Sequence, residues 1–561
     1  MYFDYKTKTP IVEGGEGIIY EVDSNTLAKI YKPNVNIVSK RKRIDALMTM
    51  TLPPEVIKPI DTIEDRRGNL IGITMRKADG IDIKMLSNKK YVISHNVTLK
   101  DTLKVLSRLW DVMSDLHSKG IYIGDLNDQN VLFDNHYNIY LIDTDSWSVG
   151  GENCTVAMDL FKDPLLKGSN FNAQTDTYAF CVLAWKTLTR VHPFGGTTNP
   201  DMQIMDRIAK HISVIDRKIK LPRTTKDWVV LSPDLISAFK KVFESGDRVF
   251  GDYIKSDYGN LAYCAVDKDY YFNGYAECPM CNRMAKLKPK QALQIGVENG
   301  FKFAKMLDDA VVKTVFDRYC YLDTNDMIVN SSNGNKYVYC GERFIFGSDY
   351  VVKCYRNRMV ITTSHDTEVE IKQNSIPVID NNILYYISPQ NYLVKSVVMD
   401  SGIGRQPLGK CGIKSQFEVN DGHYCIVNIY DGNVIINIDG YNYTYNTSFV
   451  IQDVAMHRDS LSDKWLIIFE DTKMLHHTLI LQKNNLVYSA DNINYKCYIY
   501  NIAFNHGIIF MPVDGAIRAF NPNAIVYKDF LCDVVSAESK LIKNGNTFII
   551  VNDDNVYRFY K

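Results

Sequence analysis

Three observations predict a multidomain chain with an α+β, two-lobed first half and an all-β second half. Short apolar strands and glycine-containing turns fill residues 11–76. Helical periodicity takes over from residue 99, and from about residue 315 strands and turns alternate to the end. A chain of 561 residues is too long for one core. Lys+Arg and Asp+Glu are both 65, so net charge supplies no general attraction to nucleic acid or an anionic membrane.

In chain order, "IVEGGEGIIYEVDSNTLAKIYK" (11–32) reads as strand, glycine-rich turn, strand, turn and strand. The basic run "SKRKR" leads into "IDALM" as one helix over 35–50. "EVIKPIDTIEDRRGNLIGITMRKADG" gives two more strands around the turn at Arg66–Asn69. Over 99–119, Leu103, Leu106, Trp110, Met113 and His117 recur at three- and four-residue steps, predicting an amphipathic helix that ends at Gly120. "DTYAFCVLAWKTL" (176–188) is apolar nearly all round, as a buried helix should be, and 232–246 shows helical spacing at Leu235, Phe239 and Phe243. Strands first and helices second is a two-lobed α+β plan.

The stretch "YIGDLNDQNVLFDNHYNIYLIDTDSW" (122–147) concentrates acids and amides. Asp125 and Asn130 lie five apart, and Asp143 follows two short strands. Turn chemistry alone favours Asp and Asn; a metal–phosphate site needs them too. Glycines at 14, 15 and 17 let backbone N–H groups approach anionic oxygens, and Lys29 sits mid-strand between Ala28 and Ile30. Such a lysine is either a phosphate contact or an edge-strand residue facing water.

The order of glycine-rich hairpin, strand lysine, helix, strands, amphipathic helix, "GDLNDQN" and "LIDTD" resembles the protein-kinase series. With "HPFGG" it resembles a narrower group, the atypical bacterial kinases found with tellurite-resistance and stress systems, some of which carry a helix-hairpin-helix module. The resemblance implies a kinase-like domain over 1–255, with lobes of about 1–80 and 81–255. It implies ATP- and metal-dependent phosphoryl transfer to protein Ser/Thr hydroxyls. Gly14, Gly15, Gly17, Lys29 and Met75 would then contact the nucleotide, and Asn130 and Asp143 would hold Mg2+ or Mn2+. Asp125 would be the base, Asp176 would brace its loop, and Asn127 would stand where the catalytic-loop lysine belongs. A metal-dependent protein phosphatase and a von Willebrand-type protein are implied as companions.

The departures are Val12 at the first glycine, "IGD" for "HRD", and Asp143-Thr144-Asp145 for "DFG". No helix glutamate is evident; Asp45 is the nearest acid. A nucleotide-binding pseudokinase scaffold is the alternative function, and a small-molecule phosphotransferase a third.

Twelve cysteines are scattered, which suits a reducing compartment better than a disulfide framework. The amino-terminal residues lack a signal-peptide pattern, and no apolar run reaches the ~18 residues of a membrane helix, so a soluble cytoplasmic chain is expected. Cys278 and Cys281 have the spacing of half a zinc site, and Cys264 is a candidate third ligand; the alternative is packed thiols. Residues 256–314 therefore read as a linker with a zinc knuckle.

From 315 to 561, Asp431, Asp471, Asp514 and Asp554 mark turns 40, 43 and 40 residues apart, and Pro389 precedes the first by 42. A period near 40 predicts a β-propeller of about six blades, with a pair of β-sandwiches as the alternative. The stretch "DYVVKCYRNRMVITT" leaves the phasing of one blade open. His476 and His477 are adjacent, so on a strand they face opposite ways rather than sharing a metal. A propeller joined to a kinase would recruit a protein substrate or partner.

Overall fold

A computed structural model describes residues 3–8, 10–155, 157–198, 202–215, 219–222, 224–286, 302–307, 311–339, 341–355, 357–373, 375–430, 432–493, 495, 497–524, 526–532, 534–544 and 547–560. The chain divides into two compact units, Met1–Ala292 and Leu293–Lys561.

The first unit opens with β1 (Pro10–Glu13), β2 (Gly17–Glu21), β3 (Thr26–Tyr31), α1 (Ile37–Thr49), β4 (Pro59–Glu64) and β5 (Leu70–Arg76). These strands form one antiparallel sheet in the order β1-β2-β3-β5-β4, with Tyr20, Ala28, Ile30 and Ile63 packed on one face. α1 begins at Asn36, whose side chain accepts the Ser39 N–H at 3.2 Å. Its inner face carries Lys40, Ile44 and Leu47 at helical spacing, together with Arg43. Two buried cations on that face are unusual, and one of them shapes the site described below.

Next come β6 (Ile81–Asp82), α2 (Lys89–Ser94), α3 (Leu99–Ser118), β7 (Val131–Phe133), β8 (Ile139–Leu141) and α4 (Ala173–Thr189). The helix expected over 99–119 is α3. Thr98 and Asp101 form its capping box, and Leu99, Leu103, Leu106, Leu109, Met113 and Leu116 are buried. β6, β7 and β8 make a small sheet that presents the Asp125–Asn130 loop at one end. α4 is buried nearly all round; its Trp185 packs against Trp228, Phe239 and Phe243. α5 (Ile204–Ala209), α6 (Pro233–Glu244) and α7 (Tyr253–Gly259) follow, then the hairpin β9 (Leu261–Cys264) and β10 (Asp269–Phe272), and α8 (Pro279–Lys286). The hairpin is tied to the helices by Asp269, which accepts the Leu99 N–H at 2.7 Å and the Lys226 ammonium at 2.7 Å.

Among its described residues the second unit contains seven four-stranded antiparallel sheets, over 312–338, 343–370, 378–410, 415–446, 451–493, 503–531 and 540–560. The last has three strands from 540–560 and takes its fourth from Lys302–Lys305, which pairs with Val556–Tyr560. Val315 of the first sheet packs with Ile549, Val551 and Val556 of the last. The Lys372 ammonium, in the link between the second and third sheets, donates to the carbonyls of Gly412 and Ile413 in the link between the third and fourth, both at 2.6 Å.

These findings overturn the expected fold class, a two-lobed α+β kinase-like fold followed by a zinc knuckle and an all-β propeller of about six blades. Among the described residues the chain is mostly β, 20% helical with eight α-helices, and its strands form ten small separate sheets, none of them closed. Among its described residues the first unit holds ten short strands and all eight of the α-helices. The count of six repeats fails because polar turns join strands within a sheet as well as one sheet to the next. "NGNKYVYCGERFIF", read as one unit, spans two sheets: Lys336–Val338 ends the first and Arg343–Phe346 begins the second. "DYVVKCYRNRMVITT" supplies Val351–Cys354 and Arg358–Thr362 of that second sheet. The turn marker Asp431 lies outside the described residues.

One buried ion pair braces the helical part of the first unit. Arg248 donates from Nε and Nη2 to the two oxygens of Asp163, both at 2.7 Å, and also reaches the Val242 carbonyl at 2.9 Å. The two side chains are 5% and 3% exposed, so removing one strands the other's charge. Arg248→Ala should therefore destabilise this unit by about 3–5 kcal/mol in denaturant unfolding; a loss below 1 kcal/mol would show the pair to be dispensable.

Candidate active site

Lys29 lies on β3 between β2 and β5, opposite Ile19 and Ile73, so it is on a central strand rather than an edge. It is 5% exposed. Its ammonium bonds to Asp143 and, at 2.8 and 3.1 Å, to both oxygens of Asp145. Burial by itself would lower the lysine's pKa; the carboxylates of Asp143 and Asp145 outweigh it and raise the pKa above its ordinary value. Asp145 is the counterpart. Burial would raise its carboxyl, yet Lys29 and Lys40, with a 2.9 Å hydrogen bond from the Tyr31 hydroxyl, hold it well below the ordinary range.

The backbone explains how two acids two residues apart meet one lysine. Asp143 has φ +61° and ψ +34°, in the left-handed region that Asp tolerates better than most residues. A single 3-10 turn, Thr144–Ser146, follows, and the Thr144 hydroxyl donates to the Ile57 carbonyl at 3.0 Å.

The third partner overturns an expectation. Asp45, the nearest helix acid, is 54% exposed and pairs with Arg41 at 3.1 Å, away from Lys29. α1 contributes a cation instead. Lys40 bonds to Glu16 of the glycine-rich turn, and at 3.1 Å to both Asp145 Oδ2 and the Asp145 carbonyl. Lys29, Asp145, Lys40 and Glu16 form one continuous network. Asp145, Lys40 and Glu16 were not singled out from sequence. Their signals were an acid between two glycines, a second acid in "DTD", and a lysine sharing a helix face with Ile44 and Leu47.

The Asp125 loop is fastened from below. Asp176 of α4, fully buried, accepts the N–H groups of Ile123 and Gly124, both at 2.8 Å, and lies 2.9 Å from His117 Nε2. Gly124 has φ +74°, and a Cβ there would lie 2.5 Å from Cys154 Cβ. That crowding and the positive φ together require glycine at this position.

Asp125 Oδ1 accepts the Met158 N–H at 2.8 Å and the Asn127 amide at 3.0 Å. Asn130 donates to the Asp125 carbonyl at 3.0 Å. Burial pushes the Asp125 carboxyl up to about 6, against these hydrogen bonds and with help from the nearby Asp143 charge. The Asn127 oxygen accepts from the N–H groups of Gln129 and Asn130, at 2.9 and 3.2 Å. Asn127, 2% exposed, thus shapes the loop through both ends of its side chain.

Of the glycines, Gly14 donates its N–H to the Gly17 carbonyl at 2.8 Å and closes the turn. A Cβ on Gly17 would lie 2.7 Å from the Ile30 carbonyl, so strand packing alone requires glycine there. Gly15 precedes Glu16 at the tip. Met75 is half-buried on β5, two residues beyond Ile73.

A second cluster lies on the β9–β10 hairpin and the start of α8. Cys264, Asp267, Cys278 and Cys281 place their ligand atoms within 4.8 Å of one another, and this group can hold a metal ion. Cys264 and Cys281 sulfurs are 3.6 Å apart, and the Asp267 carboxylate lies 2.7 Å from Cys278 and 3.5 Å from Cys281. Sequence reasoning found the three cysteines and missed Asp267, although C-x-x-D mirrors C-x-x-C at the same spacing.

His476 and His477 face opposite ways. His476 meets Glu470 at 3.1 Å, whereas His477 meets Asp491 at 2.9 Å and stacks on Phe449 with ring centroids 3.5 Å apart. Among the described residues no helix is long and apolar enough to cross a membrane. Compared with models of known protein families and with curated proteins, the chain matches none.

Proposed function

We propose that the first unit transfers a phosphoryl group from ATP to a protein Ser/Thr hydroxyl, as the ordered series of residues shared with protein kinases suggests. The observation that carries this reading is the buried Lys29 bonded to the left-handed Asp143, alongside the loop that holds Asp125 and Asn130. A buried ammonium on a glycine-flanked sheet suits the phosphates of a nucleotide. Asp125, raised to about 6, is tuned to accept a hydroxyl proton near neutral pH. Asp143 and the Asn130 side-chain oxygen are hard oxygen donors suited to magnesium or manganese. When bound, the ion supplies charge neutralisation at the phosphates.

The second reading, a nucleotide-binding scaffold with little catalysis, is favoured by Asn127. Its amide is committed to Asp125 and carries no charge to replace the catalytic-loop lysine. In either case the sheets of the second unit would bind the protein substrate or partner, raising its effective concentration.

Phosphate transfer from labelled ATP tests the first reading. The account expects label on the protein or an acceptor with magnesium, lost in Asp125→Asn and Asp143→Asn. Because the Asp125 carboxylate must be ionised to act, the rate should rise with pH through about 6 and then level off. The linkage to stability has the opposite sense: a raised folded-state carboxyl pKa means Asp125 contributes less to stability as pH climbs from the ordinary carboxyl range through 6. Binding of ATP without transfer would select the scaffold.

The cysteine cluster is proposed to hold structural zinc through Cys264, Asp267, Cys278 and Cys281. Tetrahedral ligands at about 2.0–2.3 Å from zinc sit roughly 3.5–3.8 Å from one another; Cys264–Cys281 at 3.6 Å and Cys281–Asp267 at 3.5 Å match this, and the Cys278–Asp267 pair, hydrogen-bonded at 2.7 Å, would open by about 1 Å on binding. Purified protein should contain about one zinc per chain. Cys281→Ser should lose the metal and lower the melting temperature, whereas Asp267→Cys should keep both. Metal content unchanged by Cys281→Ser would overturn the assignment.

A further inference from the structure

We propose that Lys40 is a second phosphate-binding cation, and that the Glu16 carboxylate occupies its place until a polyphosphate displaces it. This rests on the nucleotide-binding reading above. Lys40 is 2% exposed, on a helix face it shares with Arg43, Ile44 and Leu47, where an ammonium is tolerated only with anionic partners. Those partners are Asp145, at 3.1 Å, and Glu16.

The two acids differ in how they are held. Asp145 is 2% exposed and fixed by Lys29, Lys40 and the Tyr31 hydroxyl. Glu16 is 37% exposed, sits between Gly15 and Gly17, and uses one oxygen to bond Lys40 while lying 3.9 Å from the Lys29 ammonium. One carboxylate oxygen shared by two buried ammoniums, on a turn that reaches solvent, marks where an anion is attracted. Glu16 can swing outward without disturbing the core; Asp145 cannot. Once Glu16 leaves, Lys40 keeps Asp145 and presents its freed N–H beside Lys29.

Two ammoniums face three carboxylates in this cluster (Glu16, Asp143 and Asp145). A polyphosphate is therefore accepted only after Glu16 has withdrawn and a divalent cation has neutralised Asp143. The ligand class is the di- or triphosphate of a nucleotide, held through its phosphates rather than its base.

Binding of ATP with magnesium to the full chain, measured by calorimetry, tests this. Glu16→Gln should bind about 3–10-fold tighter, because the competing carboxylate is gone. Lys40→Met should bind about tenfold weaker or worse, since a charged contact is lost. Lys40→Arg should stay near the unaltered protein, and the Glu16→Gln/Lys40→Met double variant should bind no tighter than Lys40→Met. Inorganic tripolyphosphate should give the same ranking. An ion pair with a purely structural role would weaken binding in both single variants, so unchanged or weaker binding by Glu16→Gln overturns the proposal. Undiminished binding by Lys40→Met, confirmed as folded by thermal unfolding, overturns it too. Failure of both the unaltered protein and Glu16→Gln to bind ATP would instead sink the nucleotide-binding reading, and this proposal with it.

Discussion

A buried ammonium must be neutralised where it stands, and the first unit is organised around doing this for Lys29. Isolated charges in a protein interior cost several kcal/mol, so the lysine persists only with well-placed carboxylates. Asp143 and Asp145 supply them from one short turn, which requires the left-handed backbone at Asp143 and the Thr144 anchor on Ile57. Asp145 then draws Lys40, and with it α1, against the same turn. Glu16 closes the glycine-rich hairpin over the cluster. One electrostatic requirement thus fixes a strand, a helix, a turn and a hairpin relative to one another.

The Asp125 loop has a separate foundation. Asp176 satisfies two buried N–H groups from the first turn of α4, and Gly124 allows the tight passage past Cys154. Because α4 is buried, it anchors the loop in addition to the loop's own short hydrogen bonds. In the lysine network Glu16 is partly exposed, whereas Lys29, Lys40 and Asp145 are buried and preorganised by packing.

Much of this was legible in the sequence. α3 follows from apolar spacing and α4 from an all-round apolar segment, and the order of motifs in the chain singled out Lys29, Asp125, Asn130, Asp143 and Asp176. What was not legible depends on which way a side chain turns. "SKRKR" looks like a solvated basic run, and only its placement on the Ile44–Leu47 face makes Lys40 a buried residue. Asp45 was the nearest acid by type, but α1 turns it outward to Arg41. Asp267 escaped because a carboxylate replaced the expected thiolate in an otherwise regular metal-binding spacing. In the second unit, strand periodicity was plain, but turns within a sheet and turns between sheets share the same residues, so seven sheets read as six units.

The network stands on the dependence of both buried lysines on Asp145 as their shared anion. Its most direct test is Asp145→Asn, which removes the charge and keeps the shape, followed by thermal unfolding and magnesium–ATP binding of the full chain. The account predicts a lower melting temperature and at least about tenfold weaker binding, because Lys29 and Lys40 lose their common partner. Melting and binding both equal to those of the unaltered protein would contradict it.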